Sequence, residues 1–558
     1  DQLPVLQCGA PGAEQRVPNH HGADACVQGG TGGRYPALYH EPGGGHSPLP
    51  QGWGGGHHIH QRRWPAGMTI YIYVISDKDR EAREKVYRAH RIGYVARPPH
   101  SVKERKGLFK KASNMNYALG VSTRVEDIMA AQGITDVSLA VTLAQEEAGG
   151  EFLAGGDVRV GSILLLVDSD TRVPEDCLTK VVGEFEECPQ LGFLQCRTTP
   201  LRAEKNYWED MIAHFTENIY DVGISLSVSG GDPSPLVGHN AFLRWASAVK
   251  QASWVDESDR GRKFWSESHV SEDFDMSLRL QTKGYIGRYC TYTGVGFQEG
   301  VSLTCADEVT RLRKYAFGAC EMLLNRFKDW PCKGPVTPLF SNYLKSKAVP
   351  WPSKLQMLGY LGTYLAMGYS IVGIIIYSVL RMTYGILQAS SKHAFNSSED
   401  VTSTYDIFIT VVFVFGVIGI FGAGTIRYRM GFAGDVSIFA AYWVEIRNAP
   451  AMTMFWSHIL WHITTACWCY FFDLPIVWGA TVKELGQTTF WKEFKDTLWR
   501  YRGMYLSLGG IYGAFVFLMI WTKSDWWDER IAFPMTFYVA SHFLGPFLLN
   551  PVLTRGYY

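Results

Sequence analysis

The chain has 558 residues, enough for two or three domains and a large buried core. Lys+Arg and Asp+Glu both number 53, so the formal net charge is +0; no basic excess points to nucleic acid and no acidic excess to a charged disordered tail. Charged residues make up 19% and sit mostly in the first half, while long uncharged runs follow about residue 355, so a purely soluble enzyme and a purely membrane-embedded carrier are both excluded.

Residues 1–67 are an anomalous Gly/His/Pro-rich stretch. Gly-Gly-Gly runs stand at 43–45 and 54–56, two His-His pairs occur, and apolar periodicity is almost absent. The plain reading is a disordered tail. The chain starts at Asp1, not Met, and is expected to be a fragment; no signal peptide is visible. The 11 cysteines are scattered without a CxxC pair, which argues for reduced thiols on a cytosolic face. Cys467 and Cys469, inside an apolar run, read as packing.

Chemistry-bearing motifs begin in the next segment, 68–330. Lys111-Ala112-Ser113-Asn114-Met115-Asn116-Tyr117-Ala118-Leu119 is the first. Thr123–Asp157 is mixed acidic and small apolar, and Val125–Glu147 within it reads as a helical insertion without nameable chemistry. Gly161–Val167 (Gly-Ser-Ile-Leu-Leu-Leu-Val) is a continuous apolar run, as a buried central strand requires. It ends in Asp168-Ser169-Asp170-Thr171. Carboxylates at i and i+2 beyond a buried strand lie where open α/β sheets bind ligands. Two hard oxygen ligands can meet a divalent cation, which in turn meets phosphate oxygens. Read alone, the same residues are also an ordinary polar loop.

Gly238-His239-Asn240 is by itself a turn. Ser271-Glu272-Asp273 is by itself a helix N-terminus. In Arg311-Leu312-Arg313-Lys314-Tyr315, Arg311 and Lys314 stand at helical spacing and fit phosphate or acceptor contacts, and Tyr315 offers a flat face to a sugar ring.

Residues 331–354 read as an interfacial linker and 355–554 as a transmembrane domain. Four uncharged runs, Leu355–Leu380, Ile407–Ile426, Gly503–Thr522 and Ile531–Thr554, reach the roughly 20 residues that a span needs. A fifth, Ala449–Phe472, is loaded with Trp, His, Tyr, Thr and Ser and reads as an interfacial helix. Arg427, Arg429, Lys483, Lys492, Lys495, Arg500 and Arg502 then share one face, cytosolic by the positive-inside rule. The sequon Asn396-Ser397-Ser398 falls on the other side.

The ordered motifs resemble those of the membrane-integrated family 2 glycosyltransferases, the cellulose, hyaluronan and chitin synthases, whose pattern is K-A-x-x-x-N, D-x-D, T-E-D and Q-x-x-R-W. Ile92-Gly93-Tyr94-Val95-Ala96-Arg97-Pro98, followed by Phe109-Lys110-Lys111-Ala112-Ser113-Asn114-Met115-Asn116, is similar to the fungal type 2 glycosyltransferases. The likeness covers roughly residues 64–551. Trp478-Gly479-Ala480-Thr481-Val482-Lys483 also resembles the F-x-V-T-x-K gating loop of cellulose synthases; the bland alternative is a turn with a snorkelling lysine.

The resemblance implies an α/β GT-A-like (Rossmann-like) cytosolic domain followed by an α-helical transmembrane domain. The implied reaction is inverting sugar transfer from a UDP-sugar to a glycan, coupled to polymer export, by a multi-pass protein of the plasma membrane. Asp170 would hold Mg²⁺ or Mn²⁺ with Asp168 beside the nucleotide. Lys111 would pair with nucleotide or phosphate. Asp273 would be the general base, with Glu272 beside it as cap or electrostatic tuner. Thr481 and Lys483 would close over the diphosphate. Gly238, His239 and Asn240 would lie near the acceptor end. The Arg311–Tyr315 motif departs from the pattern, with Arg for Gln, Lys for Arg and Tyr for Trp. A non-processive lipid glycosyltransferase of the same fold and a membrane scaffold subunit are the competing readings.

The family also places a first strand and an Asp-Asp-Gly motif where residues 1–67 show neither. A shifted reading frame accounts for this: Gln61-Arg62-Arg63-Trp64, encoded CAA CGA CGA TGG, gives Asn-Asp-Asp-Gly one nucleotide later. Sequencing the transcript tests it; codons unable to yield those residues in the next frame refute the shift.

Overall fold

A computed structural model describes residues 6–7, 25–29, 77–96 and 110–554, apart from 151, 169–170, 205, 232, 258–260, 293, 391–405, 408, 433, 435, 477–487 and 523–528. The chain divides into two compact units. One comprises Ala10–Gln195 and Leu236–Gly287, and the other Asp1–Gly9, Cys196–Pro235 and Arg288–Tyr558.

The first unit is α/β. Its central strand is Ile163–Val167, every residue buried, as the apolar run predicts. Ala241–Arg244 pairs with it antiparallel, Ile163 facing Arg244, and Phe193–Gln195 of the strand Leu191–Cys196 pairs antiparallel with Ala241–Leu243. On the other side of the central strand, Ala25–Gly29 pairs in parallel. The sequence shows no strand there, because a short edge strand is held by backbone amides and needs no apolar alternation.

The helix Lys110–Gln132 places Ala112, Met115 and Leu119 on one face, three and four residues apart. They share a core with Leu164, Leu166, Phe193, Leu243, Trp245, Phe264, Trp265, Met276 and Leu280. Each fully buried leucine there contributes about 1.5–3 kcal/mol.

Val125–Glu147 is not a separate helical insertion. Residues 125–132 continue the helix that begins at Lys110, since no proline intervenes and the helix tolerates Gly120 before it ends ahead of Gly133. The next helix, Val137–Glu147, is capped by Asp136, whose carboxylate accepts from Ser138 N. Val121, Val125 and Ile128 pack with Ala140, Val141 and Ala144 in a second, smaller core.

The other unit is mostly helical. It carries a parallel strand pair, Thr198–Leu201 with Phe297–Gly300, and the helices Tyr207–Asn218, Cys305–Leu323, Trp351–Ser390, Gly419–Arg429, Ile438–Phe471, Phe490–Thr522 and Glu529–Leu548. The uncharged runs all fall within helices, the last only as far as Leu548. Among the described residues, one segment, Ile409–Arg429, is long and apolar enough to cross a membrane. The expected interfacial run is longer than its apolar part: the helix begins at Ile438, capped by Ser437, and passes through Pro450.

That extra stretch buries a charge network. Arg427 donates to Glu217 at 2.8 Å and to Glu445 at 3.4 Å, and lies 3.7 Å from Asp221. It also donates to His214 Nδ1 at 3.1 Å, so His214 presents its Nε2–H to Glu445, 3.1 Å away. Asn218 donates to the same carboxylate, and Arg197 pairs with Asp221. Arg427 is therefore not a loose positive-inside charge; it ties Tyr207–Asn218 to Gly419–Arg429 and Ile438–Phe471. Arg427→Met takes the guanidinium from Glu217 and Glu445, while Asp221 keeps Arg197, and is expected to cost about 3–5 kcal/mol; Arg427→Met/Glu445→Leu recovers part of it. Thermal unfolding of the detergent-solubilised protein checks this; an unchanged midpoint for Arg427→Met refutes it.

Candidate active site

Three segments distant in sequence meet at one ammonium group. Asp168 follows the last residue of the central strand. Lys111, in the first turn of Lys110–Gln132, donates to Asp168 Oδ1 at 2.8 Å and to the Gly238 carbonyl at 2.9 Å. Both side chains of the ion pair are less than a third exposed. Burial pulls the lysine pKa down, but Asp168, Glu272 and Asp273 outweigh it and hold the group charged.

Gly238 carries this link to the carboxylates. Its φ is +85°, and a Cβ there would lie 2.9 Å from Asp273 Oδ2. Only glycine lets the backbone approach Asp273 so closely. Asn240 also has positive φ, at +51°, and is fully buried. Gln195 holds this turn: its amide donates to the His239 carbonyl at 2.9 Å and accepts from Val237 N at 2.9 Å.

Glu272 and Asp273 open the helix Glu272–Thr282. Glu272 is buried, whereas Asp273 is half-buried. Burial pushes the Glu272 carboxyl up to about 7, with Asp273 adding to the rise and Lys111 opposing it. Burial also raises Asp273, against the Phe274 N–H, Lys111 and His239, which favour its ionised form. The two acids lie too close to ionise independently. Asp273 is the more accessible of the two.

The helix is anchored behind them. Arg279 pairs with Asp275 at 2.7 Å and donates to the Ala252 and Phe264 carbonyls. His269 Nδ1 lies 3.4 Å from Asp275 Oδ2 and 2.8 Å from Ser266 Oγ.

Lys111, Asp168, Gly238, His239, Asn240, Glu272 and Asp273 thus belong to one site in the α/β unit. Asp170, Thr481 and Lys483 lie outside the described residues. Arg311, Lys314 and Tyr315 sit on Cys305–Leu323 in the helical unit. There Arg311 donates to the buried Glu308 at 2.9 Å and lies over the Tyr315 ring at 5.9 Å, while burial lowers Lys314. Tyr315 is 41% exposed.

Gln195 escapes motif reading, though a signal exists. It is the one polar side chain in the strand Leu191–Cys196 apart from the terminal thiol, and a lone buried amide must find partners. As for metal, Asp168 offers hard carboxylate oxygen at a strand end, partly exposed, which suits Mg²⁺ or Mn²⁺ in donor type.

A sequence model of the family described as "Glycosyl transferase family group 2" matches residues 163–520. The chain is 25% identical over 203 residues to the glucans biosynthesis glucosyltransferase H of Xanthomonas euvesicatoria pv. vesicatoria, covering 36% of this chain and 28% of the relative. It is 26% identical over 159 residues to the protein of the same name from Ralstonia nicotianae, covering 28% and 18%. It is 26% identical over 98 residues to the UDP-forming cellulose synthase A catalytic subunit 1 of Arabidopsis thaliana, covering 17% and 9%. The chain therefore aligns with less than a third of the length of these relatives. The family match begins at the central strand, runs through Asp168 and Asp273 and continues into the helical unit, and this chain belongs to glycosyl transferase family group 2.

Proposed function

We propose that the chain transfers a sugar from a UDP-sugar to a growing β-glycan at the cytosolic face of a membrane, inverting the anomeric centre and passing the polymer through its own helices. The observation that carries this is the cluster in which Lys111 joins Asp168 to the Gly238 backbone against Asp273. The names of the relatives, a glucosyltransferase of glucan biosynthesis and a UDP-forming cellulose synthase, favour a glucosyl donor and UDP as product. The motif order resembling fungal type 2 glycosyltransferases fits the same reading.

Asp273 takes the proton of the acceptor hydroxyl as its oxygen attacks the anomeric carbon. The new C–O bond forms as the bond from that carbon to the UDP oxygen breaks on the opposite face. Lys111 stands where it can meet charge growing on the leaving diphosphate. A Mg²⁺ or Mn²⁺ ion held by Asp168 and Asp170 would neutralise further charge there. Glu272, the more buried of the two, is the harder to ionise, so the more accessible Asp273 is assigned the role of base. Tyr315 would offer a stacking face to the acceptor sugar, and Arg311, held by Glu308, and Lys314 would contact phosphate or acceptor hydroxyls. Thr481 and Lys483 would close over the diphosphate. The multi-pass arrangement and a plasma-membrane location belong to this reading.

UDP release from membranes carrying the chain tests it. A panel of UDP-sugars is offered with Mn²⁺ or Mg²⁺ and with chelator. Release with one donor, lost with chelator and reduced about 10²–10⁴-fold in Asp273→Asn, is expected. No release from folded protein with any donor refutes the enzyme.

The raised Asp273 pKa sets the pH dependence. Its active form is the carboxylate, so turnover falls as pH drops through the folded value. The acid limb of kcat/KM should therefore lie above the ordinary aspartate value of about 3.9. Glu272→Gln should keep that limb and remove any further change near pH 7. A limb at the ordinary aspartate position, read from UDP release across pH 4 to 9, contradicts the assignment.

A further inference from the structure

We propose that Asn116 is a positioning residue that fixes the distance between the leaving-group side of the site, at Lys111, and the base side, at Asp273; this rests on the transferase reading above. Its side chain is 4% exposed and its amide is saturated. Nδ2 donates to the Trp265 carbonyl at 2.8 Å and to Glu267 Oε1 at 2.9 Å. Oδ1 accepts from Phe264 N at 2.9 Å and Trp265 N at 2.8 Å. The two backbone N–H groups require an acceptor, so the orientation of the amide is determined.

The clamped segment, Phe264–Glu267, runs directly into the base-bearing helix and is tied to it again. Its Phe264 carbonyl accepts from Arg279, which pairs with Asp275, and its Ser266 bonds His269, which faces Asp275. On the other side, Asn116 stands five residues after Lys111 on the same helix, a rise of about 7.5 Å. One rigid helix therefore carries the cation that holds Asp168 and the amide that holds the approach to Asp273. This amide adds a directional restraint between the two ends of the reaction, beside the Lys111 contacts and the shared core. Near-attack geometry is sensitive to displacements of about 1 Å, which can cost up to about 10²-fold in rate.

Asn116→Asp is the discriminating variant. It keeps an oxygen for the two backbone N–H groups, loses both donors and sets a carboxylate against Glu267. Glu267→Gln in the same chain returns a donor to that contact; because Glu267 also pairs with Lys263 at 3.2 Å, Glu267→Gln alone is the control. The expected result is that Asn116→Asp lowers kcat about 10–100-fold while the donor KM and the UDP inhibition constant stay within about twofold. Asn116→Asp/Glu267→Gln should then regain at least about tenfold. In parallel, hydrogen exchange in Asn116→Asp should rise over Phe264–Thr282 and stay unchanged over Lys110–Gln132.

Equal losses in kcat, UDP binding and exchange protection throughout the unit would make Asn116 a structural residue only and overturn the proposal. So would full activity of Asn116→Asp beside an active wild type. Wild-type protein without UDP release, indifferent to Asp273→Asn, overturns the transferase reading itself and this proposal with it.

Discussion

The site depends on one buried lysine meeting two acceptors. Lys111 is 57 residues from Asp168 and 127 from Gly238, yet donates to both within 2.9 Å. A cation so enclosed is stable only because carboxylates surround it: Asp168 in contact, Glu272 and Asp273 behind. Each acid is in turn tolerable only because the lysine is there. Removing any one member leaves an uncompensated charge in a poorly hydrated place, which costs several kcal/mol. The same mutual dependence keeps the helix Lys110–Gln132, the end of the central strand, the Gly238 turn and the helix Glu272–Thr282 in register.

That arrangement also separates the roles of two neighbouring acids. Glu272 and Asp273 are adjacent in sequence and alike in chemistry. Burial distinguishes them, because Glu272 faces inward and Asp273 stays half open, with the Phe274 N–H on its carboxylate. Two groups pushed apart in proton affinity are what acid–base chemistry needs. The backbone at Gly238, which only a residue without Cβ can adopt, brings the turn 238–240 against Asp273.

In the helical unit a different device operates. Arg427, Glu217, Asp221, Glu445 and His214 form a buried polar junction between helices that are otherwise apolar. Such a junction contributes little net stability compared with apolar packing, but it specifies one geometry, since each partner removed leaves another stranded. Tyr315 keeps an exposed face on Cys305–Leu323, while Arg311 is engaged by Glu308 on the same helix.

Local patterns were legible in the sequence and long-range ones were not. The apolar run 163–167 announced a buried strand, the carboxylates after it a strand-end site, and the motif order the family to which the chain belongs. Element extents were less legible: the helix from Lys110 runs on into the expected insertion, and the expected interfacial helix begins 11 residues earlier, at 438 instead of 449. The tertiary structure decided which amides and charges meet. Gln195 looks unremarkable in sequence, and Asn116 shows only as the end of a motif, because an amide acquires a role only from its partners, up to 151 residues away. Arg427 looks like a surface cation until Glu217, 210 residues earlier, is placed against it. Side-chain periodicity encodes which face is buried; it does not encode which polar groups converge there, because that depends on how distant segments pack.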